Sequence, residues 1–246
     1  MEWVESRVTG RTQWSDGLFS LRIDGTGIAP FKAGQFLQLG LPVEQEHLHR
    51  PYSVASPSGP EIEFFIVRVE QGLLTPRLDQ LTPGDRIDVS KRAAGGFTLE
   101  KVADAKTLWL VGTGTGIAPY RAMLLEADIW RRFEKIVLVH GVRFQRDLAY
   151  VPEWLQMQQD RRGHFRFLPV ISRESCCDSL SGRITQRLAD GQLEDAVDSS
   201  IHPDSASVML CGNPDMLEEM EVALMQRGFP KPKHGKPSGL VLERYW

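Results

Sequence analysis

The chain has 246 residues, enough for one large domain or two modest ones, and its 41% hydrophobic and 25% charged residues match an ordinary soluble globule. A formal net charge of −3 argues against a nucleic-acid or membrane-surface protein, and no apolar run reaches the length of a membrane span. The opening Met1-Glu-Trp-Val-Glu5 lacks the basic and apolar regions of a signal peptide. Cys176, Cys177 and Cys211 make neither a disulfide framework nor the four ligands of an iron–sulfur cluster, so the expectation is a reduced, cytoplasmic protein.

The first hundred residues read as strands. Leu18–Ile23 and Glu61–Val69 are rich in β-branched and aromatic residues with partial alternation, and turn clusters stand at Asp24–Pro30, Ser56–Pro60 and Thr82–Asp85. Short strands at such spacing point to a small antiparallel barrel, interrupted by one short helix over Thr75–Leu81. Gly95, Gly96 and the polar Glu100–Lys106 mark a boundary, placing one domain at residues 1–100 and a second at 101–246. From Thr107 strands alternate with helices: strands at Leu108–Val111, Ile136–His140, Phe165–Ile171 and Val208–Cys211. Helices are expected over Pro119–Arg131, Pro152–Asp160, Ile184–Asp190 and Pro214–Arg227, and Lys231–Pro237 reads as a polar loop before a final strand within Gly239–Trp246. This order implies an α/β domain built on a parallel five-stranded type of sheet.

Four segments carry chemistry. In Arg50-Pro-Tyr-Ser53, tyrosine offers a ring for stacking, serine hydrogen-bonds both ways, and arginine suits phosphate; alone it is equally a strand with one solvent-facing arginine. Gly112-Thr-Gly-Thr-Gly-Ile-Ala-Pro119 lies between a strand and a helix, where glycines permit a sharp turn and close ligand approach, or simply tight packing. It departs from the dinucleotide fingerprint G-x-G-x-x-G, because the third glycine is displaced. At the ends of successive strands stand Val142-Arg143, Ser172-Arg173 and then Arg183, where an NAD-selective sheet carries an acid; three arginines suit a 2′-phosphate and make NADP the expected nucleotide. Cys211-Gly-Asn-Pro-Asp-Met216 ends a strand and opens a helix, and its cysteine reads equally as a small buried apolar residue. His47 and His49 form an H-x-H in a polar loop, solvated rather than metal-binding. No zinc spacing and no Ser/His/Asp triad is present, so no metal is expected.

Taken together with Gly72-Leu-Leu-Thr-Pro-Arg77, these segments resemble the ferredoxin–NADP reductase family, and Glu243-Arg-Tyr-Trp246 is similar to the ending of its bacterial branch. The resemblance implies an N-terminal FAD-binding antiparallel β-barrel followed by an NADP-binding α/β domain. FAD contacts are then expected from Arg50, Pro51, Tyr52, Ser53, Val54, Ile66, Leu73, Leu74, Thr75 and Thr115. NADP contacts are expected from Val142, Arg143, Ser172, Arg173 and Arg183, with Asn213, Pro214, Asp215 and Glu219 flanking the nicotinamide-side ribose and phosphates. Ser53 and Cys211 take positions beside the reacting rings, Glu243 serves proton transfer, Tyr245 covers the flavin face, and Trp246 reaches the adenine of a folded-back FAD. The implied activity moves electrons between NADPH and a one-electron carrier, ferredoxin or flavodoxin, that docks transiently on a monomer. The alternative is an NADPH-dependent reductase of free flavin or of an oxygenase component.

Overall fold

The computed structural model describes residues 1–43, 46–231 and 236–244. The chain divides into two compact units, Met1–Thr98 with Ala118–Glu126, and Leu99–Ile117 with Ala127–Trp246.

The first unit is an antiparallel six-stranded sheet of β1 (Trp3–Ser15), β2 (Leu18–Asp24), β3 (Phe36–Val43), β4 (Glu46–Ser53), β5 (Glu61–Val67) and β6 (Arg86–Ser90). Their order is β4-β3-β6-β1-β2-β5, and a bridge between Val54 and Phe64 joins the two edges, closing the sheet as a barrel. Alternate positions point inward: Phe19, Leu21 and Ile23, then Leu37 and Leu39, then Ile62, Phe64 and Ile66, then Ile87 and Val89 form one core. The 13-residue β1 was not legible as one element. It pairs with β6 over Trp3–Arg7 and with β2 from Val8 onward, and register shifts at Val8/Gly10 and Gln13/Ser15 break its alternation. Such bulges bend and twist a strand, which is how one strand serves two neighbours around a barrel. The H-x-H expected in a loop lies in β4, where His47 Nε2 sits 2.9 Å from an Asp88 carboxylate oxygen. The short helix α1 (Thr75–Leu78) follows β5.

The second unit carries β7 (Thr107–Thr113), β8 (Lys135–Val142), β9 (Phe165–Ile171), β10 (Leu180–Ser181), β11 (Ala206–Gly212) and β12 (Leu240–Arg244) in the order β10-β9-β8-β7-β11-β12, every pair parallel. The parallel sheet is as expected; the five-stranded count is corrected to six. The extra strand is the two-residue β10, which pairs with Val170 and Ile171 and is too short to show any periodicity. Leu108, Trp109, Leu110 and Val111 are all fully buried, as are Val137, Leu138 and Val139. A parallel strand covered on both faces reads as an unbroken apolar run. Helix α2 (Ala118–Leu124) belongs with the first unit and α3 (Ala127–Arg132) with the second, so the single helix expected over Pro119–Arg131 is two. No glycine or proline marks the break. Leu125 N still bonds Arg121 O, but Glu126 N bonds Met123 O, a tightened final turn that ends α2. Helices α4 (Val151–Asp160), α5 (Ile184–Ala189), α6 (Gln192–Asp195) and α7 (Pro214–Gln226) complete the unit. Ile184, Leu188, Leu193, Met216, Leu217, Met220 and Leu224 from α5, α6 and α7 pack on one sheet face.

Candidate functional site

Two sets of groups stand out, one in each unit. In the barrel, Arg50, Pro51, Tyr52 and Ser53 end β4, opposite Leu39, Gln38, Leu37 and Phe36 of β3. Pro51 can sit there because β4 is an edge in the sheet order, where a missing N–H costs no ladder bond. Ser53 is buried and its Oγ has no hydrogen-bond partner. Burial pushes the Tyr52 phenol up to about 12, against the opposing pull of the Arg50 charge, so the ring keeps its proton at any ordinary pH. Arg50 is exposed and its guanidinium donates to His49 O at 2.7 Å. Val54, Ile66 and Leu74 are core residues, at most 5% exposed, whereas Leu73 is 63% exposed. Thr75 Oγ1 accepts from Val69 N at 2.9 Å and so pins the Gly72–Thr75 turn to the end of the preceding segment.

The segment after Ser53 is fixed by Arg121 of α2. Its guanidinium donates to Ala55 O at 2.8 Å and to Glu63 at 3.3 Å, with both side chains largely buried. Ala55 N in turn donates to Glu63 O at 2.7 Å. Breaking one partner of a buried pair is costly, about 3–5 kcal/mol, so Arg121 is a structural anchor for the strand end that carries Tyr52 and Ser53.

In the second unit the groups line up along the carboxyl ends of the strands. Val142 pairs with Ile171, and Ile171 with Ser181, so Arg143, Ser172 and Gly182 follow directly beyond three adjacent strands. Backbone bonds hold this rim: Ser172 N to Val142 O and Arg173 N to Arg143 O, both 3.0 Å, and Gly182 N to Ile171 O at 2.8 Å. Ser172 Oγ also donates to Val142 O at 3.2 Å. Arg143, Arg173 and Arg183 are all exposed. On the other side of β7, Cys211 pairs with Gly112 and with Glu243, placing the buried cysteine between the glycine turn's strand and the half-buried carboxylate.

The glycine turn is a 3-10 segment, Gly114–Ile117, containing Thr115, and it approaches the β11 end closely. A Cβ on Gly116 would lie 2.5 Å from Cys211 O, and one on Gly212, at φ +129°, would lie 2.2 Å from Thr113 Oγ1. Those two positions exclude any side chain. Asn213 N donates to Thr113 Oγ1 at 2.7 Å, while Asn213 Oδ1 accepts from Met216 N at 3.1 Å and caps α7. Pro214 opens that helix, with Asp215 and Glu219 exposed one turn apart. Tyr245 and Trp246 lie outside the described residues.

Sequence reasoning missed Arg121 and His140. Each carried a signal: a lone charge in the buried stretch Ala118–Leu124, and a lone imidazole in the apolar run of β8. His140 is fully buried, and Nε2 lies 3.1 Å from Gly114 O. Cys176 and Cys177 are free thiols, neither buried. Among the described residues no helix is long and apolar enough to cross a membrane, and no cluster of His, Cys, Asp or Glu is arranged to hold a metal ion.

Residues 11–97 match the family described as "Oxidoreductase FAD-binding domain", and residues 110–221 match "Oxidoreductase NAD-binding domain". An antiparallel barrel of the first kind followed by a parallel sheet of the second defines a two-part oxidoreductase. Over its whole length the chain is 40% identical to the flavodoxin/ferredoxin–NADP reductase of Shigella flexneri, covering 99% of that protein. It is 35% identical to the ferredoxin–NADP reductase of Azotobacter vinelandii, over 97% of this chain and 95% of the other. A crystal structure of a ferredoxin NADP+ reductase from Neisseria gonorrhoeae, with bound FAD and NADP, superposes with a TM-score of 0.94 at 28% identity, covering 100% of both chains. The chain belongs to the flavodoxin/ferredoxin–NADP reductase family.

Proposed function

We propose that residues 1–100 hold FAD, that residues 101–246 hold NADP, and that the enzyme carries electrons between NADPH and a one-electron carrier, ferredoxin or flavodoxin. The observation that carries this reading is the end-to-end likeness to reductases named for that activity. The residues present fit both cofactors. A buried Ser53 hydroxyl lacking a partner needs one, and a flavin ring heteroatom supplies it; Tyr52, kept neutral, offers its ring for stacking. Gly116 packs the glycine turn against Cys211 O, Gly114 leaves open space beside it for a pyrophosphate, and Arg143, Arg173 and Arg183 suit the 2′-phosphate.

Bound FAD supplies the step that the chain cannot: accepting two electrons as hydride and releasing them singly. The side chains orient and shield. Arg50 neutralises phosphate charge, Val54, Ile66 and the Leu73–Thr75 turn shape the flavin edge, and the Thr115 side chain adds an FAD contact from the glycine turn. Cys211 spaces the nicotinamide, Asn213, Pro214, Asp215 and Glu219 border its ribose, and Glu243, in register with Cys211, holds or moves a proton. Tyr245 and Trp246 are assigned flavin and adenine stacking on the family likeness. The carrier docks transiently on a cytoplasmic monomer that binds neither nucleic acid nor membrane.

The test is the visible spectrum of purified protein before and after anaerobic NADPH, followed by turnover with ferredoxin, flavodoxin and free flavin. A yellow chromophore that bleaches, with fastest turnover on a carrier protein, is expected. A colourless protein that stays flavin-free on reconstitution rejects the reading, and preference for free flavin replaces the carrier by a flavin acceptor.

A further inference from the structure

The glycine turn is held at two points of different kinds. At Gly116 the clamp is steric, since the backbone lies against Cys211 O with no room for a Cβ. At Gly114, φ +53°, a Cβ would meet nothing within 4 Å, so no steric clamp of that kind acts there. What reaches it is a hydrogen bond from His140, whose Nε2 lies 3.1 Å from Gly114 O.

His140 sits in the middle of the sheet, opposite Gly112 of β7 and Pro169 of β9, with no exposed surface. Its two ring nitrogens are unequal. Nε2 faces a carbonyl, whereas Nδ1 is buried with no hydrogen-bond partner. A proton on Nδ1 would be orphaned, so the neutral ring carries its hydrogen on Nε2 and donates to Gly114. Burial pushes its pKa down from 6.5 to about 4, which keeps the ring neutral at neutral pH.

A trans peptide is planar, with its C=O and N–H pointing in opposite directions. Drawing Gly114 O toward His140 therefore turns the Thr115 N–H away from the sheet interior. We infer that His140 is a positioning residue for the nucleotide: by holding the Gly114–Thr115 peptide it aims the turn's N–H at the pyrophosphate of the bound dinucleotide. The inference rests on the NADP reading above and deepens it. A buried polar side chain missing half of its partners is costly to keep, and orienting this peptide is the task that its one hydrogen bond performs. It also separates two kinds of recognition. The pyrophosphate is common to NADPH and NADH, whereas the three arginines face a group that only NADPH carries.

The experiment uses the FAD-loaded protein with three substitutions. His140→Gln puts an amide donor at the reach of Nε2, His140→Asn puts one at the reach of Nδ1, and His140→Leu removes the donor. Calorimetric titration of oxidised protein with NADP gives the dissociation constant directly, and steady-state rates with NADPH and NADH give the split between KM and kcat. His140→Leu and His140→Asn are expected to weaken NADP binding about tenfold, a factor worth about 1.4 kcal/mol. KM should rise by a similar factor for NADPH and NADH, with the smaller change in kcat, and His140→Gln should recover most of the loss. Equal behaviour of the Gln and Asn variants, or a loss confined to NADPH, overturns the inference. If His140→Leu fails to fold, the Gln–Asn contrast carries the test alone. Wild-type protein that binds FAD but no NADP in the same titration rejects the functional reading itself, which is a different result from variants that match wild type.

Discussion

The barrel and the parallel sheet present their candidate ligand groups in opposite ways. In the barrel most are inside, with Arg50 and Leu73 exposed at the rim: Ser53 is buried without a partner, Val54, Ile66 and Leu74 are core residues, and Tyr52 packs against that core. At the sheet they are outside: Arg143, Arg173, Arg183, Asp215 and Glu219 are exposed at strand ends and on the first turns of a helix. A buried polar group left alone costs about 1–3 kcal/mol, so a ligand that satisfies Ser53 is held by the penalty of its departure. An exposed arginine returns to water at little cost when its anion leaves, and salt screens it. On the proposed function, the contrast is that between a resident cofactor and one that binds, reacts and leaves.

The largest test of that contrast removes the exposed charges. Each charge-assisted hydrogen bond is worth about 1.5–3 kcal/mol, and exposure favours the low end. Arg173→Ala with Arg183→Ala is therefore expected to cost at least about 3 kcal/mol, more than a hundredfold in the NADPH Michaelis constant. NADH should be nearly unaffected and FAD content unchanged. Raising ionic strength should weaken NADPH binding in wild type and much less in the double variant. Equal losses for both nucleotides would remove the 2′-phosphate from the account of the rim.

Acid should strike the sheet unit through His140. Its folded pKa, about 4, lies below the unfolded value of 6.5, so the unfolded chain binds the extra proton first. Stability contributed by the neutral ring is complete above about pH 6.5 and is lost as pH falls toward 4, a total of roughly 3 kcal/mol at about 1.4 per pH unit. Urea titrations at pH 7, 6, 5 and 4.5 are expected to show this slope, and His140→Gln should flatten it. An unchanged slope in that variant assigns the acid loss to carboxylates instead.

Next come the two residues nearest the proposed chemistry. Ser53→Ala and Cys211→Ala should each slow flavin reduction on the order of a hundredfold in single-turnover stopped flow, the cost of misplacing a reacting centre by about an ångström. FAD is present in both variants when the reaction is started, but Ser53→Ala should release it faster on dialysis than Cys211→Ala does. If one is slow and the other unchanged, only the unit carrying the slow variant sets the reaction geometry.

The two units also differed in how much of them could be read beforehand. Strands buried on both faces announced themselves as apolar runs, and the arginine rim followed from where those runs stop. The barrel was legible as a class but not strand by strand. The bulges of β1 destroy its alternation, and the H-x-H of β4 looks like a loop because its side chains face solvent rather than the core. Arg50-Pro-Tyr-Ser53 was visible as a motif, yet nothing local says that Arg121, sixty-six residues from Ala55, secures its end. The same holds for Gly116 against Cys211 and for His140 under Gly114. These contacts run between a backbone and a group far away in the chain, and a residue type at a position does not encode them.

Asn213 offers the smallest and sharpest test, because two roles claim one side chain. Family likeness sets it beside the nicotinamide ribose, whereas its Oδ1 already caps α7 by accepting from Met216 N. Loss of an N-cap costs about 1 kcal/mol, so Asn213→Ala should lower the thermal midpoint by about 2–4 °C in a chain of this size. Asp and Ser cap as well as Asn does, so Asn213→Asp and Asn213→Ser should restore the midpoint. Neither keeps the amide donor that remains when Oδ1 is engaged, and Asp adds a charge that repels phosphate. Both are therefore expected to bind NADP several-fold more weakly than wild type despite their restored stability. Calorimetric titration beside thermal unfolding separates the two roles. If Asn213→Asp recovers both stability and NADP affinity, Asn213 is a helix cap alone, and the nucleotide at that end of the sheet is gripped by backbone.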